Sequence, residues 1–142
     1  MNNVRTWVQG ETFAKEYLLK KGFIILELNY KTQLGEIDII ALDPKIRQIK
    51  LANEKIANGQ LNSSLKNKLN YLFDDTIVFI EVKARENGIL WNPIDAVTKH
   101  KQFKIKQVAS AYLELKNLQD NSIRFDVISV SGDKIEHIDN AF

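Results

Sequence analysis

The chain has 142 residues, no cysteine, and 20 basic against 18 acidic side chains, for a net charge of +2. That length suits one domain with a real core, and the missing thiols exclude a disulfide scaffold, a thiolate zinc site and a cysteine nucleophile, leaving oxygen or imidazole as metal donors. Hydrophobic and charged shares of 44% and 27% argue against disorder and fibrous architecture, and neither a membrane span nor a signal peptide is visible, so a cytoplasmic protein without a membrane partner is expected.

Residues 4–20 have helical spacing, with Trp7, Ala14 and Leu18 near one face and Gly22 as a stop. Glu11 lies on that same apolar face. Residues 23–29 read as a strand, 31–35 as a turn and 36–42 as a second strand rich in β-branched side chains. The texture then changes. At about residues 44–75 the chain reads as a helical or irregular insertion, with Ile46, Ile49 and Ile56 on one helical face and Leu61, Leu65, Leu69 and Leu72 on another. Between Pro44 and Asn70 the bases Lys45, Arg47, Lys50, Lys55, Lys66 and Lys68 face a single acid, Glu54. Residues 77–84 form the next strand, 86–93 a loop with Gly88 and Trp91, and 94–116 a helix carrying the basic cluster Lys99, Lys101, Lys104 and Lys106. A strand at 124–130, a Ser131-Gly132-Asp133 turn and a short strand at 134–138 complete an α/β order.

Three acids stand where apolar residues belong. Alternation puts Asp38 with Ile40 and Leu42 on one strand face, and Ile37, Ile39 and Ala41 on the other. Both faces are apolar, so the strand is buried on both sides and an ionised aspartate there needs a partner. In the strand at 77–84, Ile77, Phe79, Glu81 and Lys83 share a face, with Glu81 and Lys83 roughly 6.8 Å apart along it. Glu11 is the third acid. Carboxylates turned inward from three elements repel one another, and one lysine offsets little of that charge. A hard divalent cation resolves the conflict: Mg2+, with Mn2+ as a substitute, takes one or two carboxylates, keeps water, and can activate it against a phosphate. Lys83 would then hold or help deprotonate that water. Singly, each residue has a plainer reading: a turn cap for Asp38, a surface position for Glu11, a half-exposed strand for Glu81 and Lys83.

The segments GEIDIIA at 35–41, VFIEVKAR at 78–85, RFDVI at 124–128 and NAF at 140–142 resemble the YraN family. That family is similar to the PD-(D/E)XK superfamily of restriction-endonuclease-like proteins, with the archaeal Holliday junction resolvases as functional analogues in shape. The resemblance implies one nuclease-like domain over residues 1–142, built on a mixed central β-sheet flanked by helices. It also implies that Glu11, Asp38, Glu81 and Lys83 are catalytic, with Asp38, Glu81 and Glu11 on the metal. Lys101, with Thr98 in the preceding turn, matches a phosphate-contacting position. The chain departs from the pattern at Lys99-His100, where a proline is expected, at Trp91-Asn92, where a glycine is expected, and in the long 44–75 stretch replacing a short turn.

Nucleic acid, specifically DNA, is therefore the expected partner, with phosphate contacts from Arg85, Thr98, Lys99, Lys101 and Lys104. The expected activity is metal-dependent hydrolysis of phosphodiester bonds in structured DNA such as junctions or flaps. A homodimer would place two cuts symmetrically. The competing expectation is a catalytically inactive nucleic-acid-binding or assembly module on the same fold. Trp7, Tyr17, Phe103 and Tyr112 read as packing residues. Trp91 is a loop aromatic that reads first as simply buried and otherwise as able to stack on a base, and Asp126 either supports the site or forms an ion pair with Arg124.

Overall fold

The computed structural model describes residues 3–43, 75–85 and 97–142. Helix α1 (Asn3–Lys20) closes where expected. Gly22 takes a left-handed φ of 85°, while the Gly22 and Phe23 amides donate to Leu19 and Leu18 at 3.0 Å each. This pairing satisfies the last helical carbonyls, and a side chain at position 22 would oppose it. Next come strands β1 (Ile24–Thr32) and β2 (Gly35–Leu42), then β3 (Ile77–Arg85), helix α2 (Lys99–Leu115), β4 (Ile123–Ser131) and β5 (Lys134–Ile138).

The strands form one five-stranded sheet in the order β1-β2-β3-β4-β5. β3 and β4 are parallel and the other neighbours antiparallel. A parallel pair needs a crossover, and α2 lies within it. Ala14 and Leu18 of α1 pack on Ile39, Ala41, Val78, Ile80, Val82, Ile128 and Val130. On the opposite face Ile105, Val108, Ala109 and Tyr112 of α2 pack on Ile40, Leu42, Ile77, Phe79, Phe125 and Val127. Covered on both sides, β3 is buried from Ile77 to Val82, which is why its sequence is a nearly continuous apolar run. The result is the predicted restriction-endonuclease-like α/β architecture, a mixed sheet flanked by helices.

Several expected details change. β1 runs to Thr32, because Tyr30, Lys31 and Thr32 pair with Ile37, Glu36 and Gly35; the predicted turn shrinks to Gln33 and Leu34. Helix α2 starts at Lys99, after Thr98 caps it, so Val97 and Thr98 are not helical. Phe103 is 60% exposed and not a packing residue. The insertion, apart from Asp75, lies outside the described residues, as do Trp91, residues 94–96 and the side chain of Trp7.

Asp126 is fully buried and joins β4 to β5 and, through Arg124, to the end of β2. Arg124 grips it with Nε to Oδ1 at 2.8 Å and Nη2 to Oδ2 at 2.9 Å, while Arg124 Nη1 reaches Asp43 Oδ2 at 2.6 Å. His137 Nε2 lies 2.7 Å from Oδ2, and the Asn140 amide donates to Oδ1 at 2.9 Å. Burial alone would raise the Asp126 pKa, but these donors outweigh it and hold the carboxyl below its usual range. Of the two roles left open by the sequence, the structural ion pair is the one present. Removing one partner of a buried pair leaves the other charges uncompensated, at about 3 to 5 kcal/mol. Asp126→Ala is therefore expected to lower the unfolding free energy by that order in chemical denaturation, whereas exposed Asp133→Ala should change it negligibly.

Candidate functional site

β2 and β3 stay in register from Leu42↔Ile77 to Ile39↔Ile80. Immediately past the last pair, the Val82 amide donates to Asp38 Oδ2 at 2.7 Å. A side-chain carboxyl thus takes a backbone donor that would otherwise need a strand partner. Glu81 projects from the same face as Ile77 and Phe79, toward α2, and its side chain is 3% exposed. Its Oε1 meets Lys83 Nζ at 3.3 Å and Lys101 Nζ at 2.8 Å.

Lys101 is placed by the start of α2. Thr98 Oγ1 accepts from the Lys101 amide at 3.2 Å, fixing the first turn. That turn carries no acid, and cations there oppose the helix dipole. Glu81 provides the missing anion. Burial works to lower the Lys101 pKa, yet its hydrogen bond and charge contact with Glu81 more than offset this, so the pKa is raised.

Asp38 is treated in the opposite sense. Burial first, then the charge of Glu81, push its pKa up to about 8; the Val82 hydrogen bond pulls down, while Glu11 and a hydrogen bond with Glu81 push up. Near neutrality Asp38 therefore keeps its proton.

Glu11 reaches this region because α1 crosses β3 at Gly10. A Cβ at Gly10 would stand 2.5 Å from the Ala84 Cβ, a contact neither backbone can relieve by rotating a side chain. Glu11 is half-buried beside that crossing and acts on Asp38 through its charge. Among the described residues no group of three or more Asp, Glu or His side chains is gathered closely enough to hold one ion. Asp38 and Glu81 are therefore the pair, and Glu11 flanks it. Arg85 is exposed two residues past Lys83 on β3, and Thr98, Lys99 and Lys104 are exposed on or before the first turns of α2.

Two adjacent carboxyls, one protonated and one clasped by lysines, fit a hard divalent cation: the donors are oxygens, and Mg2+ commonly takes one or two carboxylates while keeping its waters. The sequence placed Lys101 among phosphate contacts; its reach to Glu81 depends on how α2 sits over β3, which no local pattern reveals. Gly10 was also missed, although a lone glycine inside a helix immediately before a candidate acid is a signal for close packing.

The sheet topology, with an acid pair and lysines where β2 and β3 part, defines an α/β protein of restriction-endonuclease-like fold. Residues 10–130 match the family model described as Uncharacterised protein family UPF0102. The chain is 38% identical to a UPF0102 protein of Clostridioides difficile, with 100% of both chains covered. It is 37% identical to one of Alkaliphilus oremlandii, with 94% of this chain and 93% of the relative covered. A third, of Dictyoglomus turgidum, is 34% identical with 100% of both covered. The chain belongs to the UPF0102 family, of which YraN is the name suggested by its motifs. No described helix is long and apolar enough to cross a membrane.

The geometry sets two expected outcomes. Gly10→Ala should lower the melting temperature by several degrees through the Ala84 contact, and Ala84→Gly should recover most of the loss in the double variant. Asp38 holds a proton in the folded chain up to about pH 8, whereas the unfolded chain loses it near an ordinary carboxylate value of about 4. With more protons bound in the folded state, stability from this group is full below the unfolded value and declines as pH rises through that window. Asp38→Asn keeps an oxygen for the Val82 amide and removes the titration. In chelator, its melting temperature relative to the parent should rise from pH 4 to pH 8 and then level off; a constant difference would contradict the assignment.

Proposed function

We propose that this chain is a metal-dependent endonuclease that hydrolyses phosphodiester bonds in structured DNA such as junctions or flaps. The observation that carries the reading is the Asp38–Glu81 pair with Lys83 and Lys101 closing on Glu81 Oε1. Asp38 and Glu81 would hold Mg2+, or Mn2+ in its place. The ion, when bound, would supply Lewis-acid activation and offset charge on the phosphate. Lys101, partly exposed at the start of α2, would meet a phosphate oxygen. Lys83, more enclosed, would hold and orient the attacking water. Exposed Arg85, Lys99 and Lys104 would bind the flanking backbone, giving affinity that falls steeply with salt. No base-reading element is evident in the described residues, so shape recognition is the natural mode. A homodimer and a cytoplasmic location belong to the same reading.

A second reading is favoured by one observation. The pair is already balanced by two lysines and a proton, an arrangement that also suits a nucleic-acid-binding or assembly module that does not turn over. Incubation with four-way junction, flap, duplex and single-stranded DNA, in Mg2+, Mn2+ or chelator, separates them. Lys83→Ala and Asp38→Asn are expected to abolish cleavage while leaving binding, and Lys101→Ala mainly to weaken binding. Persistent cutting by the first two variants would assign the activity elsewhere. Failure of the native protein to bind Mn2+ by calorimetry would favour the binding module.

A further inference from the structure

The residue across the β1–β2 ladder from Asp38 is Asn29. Paired residues on either side are Leu28↔Ile39 and Tyr30↔Ile37, so Asn29 stands in register with Asp38. Asn29 has a φ of 50°, the left-handed conformation that asparagine tolerates and β-branched residues resist. It is an exposed residue in the middle of a strand, where asparagine is ordinarily disfavoured. Its side chain is therefore not there for burial.

Around this point both strands lose their alternation. In β2, Ile39 and Ala41 pack toward α1 and Ile40 and Leu42 toward α2, so Ile37 should face α1; it packs in the α2 cluster instead. Tyr30, opposite Ile37, packs on the same α2 side, with its ring 5.1 Å from that of Tyr112. Two partners on adjacent strands change side together, immediately beyond Asn29 and Asp38. A single left-handed residue in a strand re-aims the residues after it and bends the ribbon, as in a bulge. Asn29 stands beside the point where the β2–β3 pairing stops at Ile39↔Ile80, and where the Val82 amide turns to Asp38 Oδ2.

We propose that Asn29 is a positioning residue for Asp38: its left-handed backbone bends the β1–β2 hairpin away from β3 just past Ile39, opening the gap in which the Asp38 carboxyl meets the Val82 amide beside Glu81. The backbone conformation at position 29 carries this role, not the asparagine amide group. Glycine should serve there, alanine less well, and valine badly, since the left-handed region costs an L-residue roughly 1 to 2 kcal/mol and a β-branched one more. The proposal deepens the metal-site reading and rests on it for its consequence, but its geometric core can be measured without any ion.

The test uses Asn29→Gly, Asn29→Ala and Asn29→Val in the full chain. The first readout is the Val82 amide proton, whose hydrogen bond to a carboxyl gives a characteristic shift and slow exchange in NMR; the second is Mn2+ affinity by calorimetry. Asn29→Gly should keep the Val82 resonance and an affinity within about twofold of the native chain. Asn29→Val should displace the resonance and weaken Mn2+ binding at least tenfold, with Asn29→Ala between; if the valine chain does not fold, the alanine and glycine chains decide. Native-like Val82 signals in both the alanine and valine variants would overturn the proposal. So would loss of that signal in Asn29→Gly, which would assign the role to the side chain. Absence of Mn2+ binding in the native protein would sink the metal reading alone, because the Val82 readout still decides the role of Asn29.

Discussion

Two carboxyl groups held together at the point where β2 and β3 stop pairing are the constraint around which the rest of the molecule is arranged. Bringing Asp38 and Glu81 into one buried corner costs desolvation and repulsion. The chain offsets this by a backbone amide on Asp38, a proton on the same group, and two lysines from different elements on Glu81. Each device needs a particular piece of the fold. Ending of the ladder at Ile39↔Ile80 releases the Val82 amide, the cap at Thr98 sets Lys101, and the absence of a side chain at Gly10 lets α1 bring Glu11 to the flank.

The molecule contains its own control. Asp126 is fully buried and Asp38 half-buried, yet their pKa values move in opposite directions. Burial pushes both upward; the difference lies in the donors. Arg124, His137 and the Asn140 amide surround Asp126 with hydrogen bonds that favour its charge, whereas Asp38 has one amide and faces two acids. A carboxyl that exists to hold strands together is given as many donors as its oxygens can accept. One left short of donors beside another acid retains the capacity to exchange its proton for a cation, and that contrast distinguishes a structural aspartate from a chemically available one.

Strand patterning made much of this legible. The apolar runs flanking Asp38 and Glu81 could only be buried strands, and alternation correctly set Glu81 on the Phe79 face. The element order showed only an α/β chain, and the mixed sheet flanked by helices came from the resemblance carried by the segments at 35–41 and 78–85. The failures had tertiary causes. Alternation misassigned Ile37 because a left-handed residue on the neighbouring strand re-aims the hairpin, and periodicity within one strand carries no information about the next. Lys31 and Thr32 look like turn residues because they are polar, yet they pair in an edge hairpin exposed to water. The start of α2 was placed too early because apolar spacing continued upstream, while Thr98, a residue suited to cap a helix, marks the true boundary. The balance of charge was also underestimated: one lysine was visible beside Glu81 on its own strand, and the other arrives from a helix far along the chain.

That second lysine alters how the acidic corner should be understood. If the acids had no internal compensation, a cation would be a structural requirement and the fold would collapse without it. With Lys83 and Lys101 on Glu81 and a proton on Asp38, the corner is self-consistent in the chain alone. An incoming divalent ion would therefore act by exchange, displacing a proton and loosening a lysine. Exchange is thermodynamically gentler than filling a void of charge, since much of the ion's favourable interaction is spent on replacing contacts already made. It also ties affinity to pH, because each proton displaced must find another base. On the proposed function, Lys101 would gain the most from such an exchange: partly exposed and seated at a helix start, it would turn toward solvent, where a phosphate would replace the carboxylate it leaves. On the same proposal, the two lysines that balance the resting corner would couple binding of an ion to binding of a polyanion.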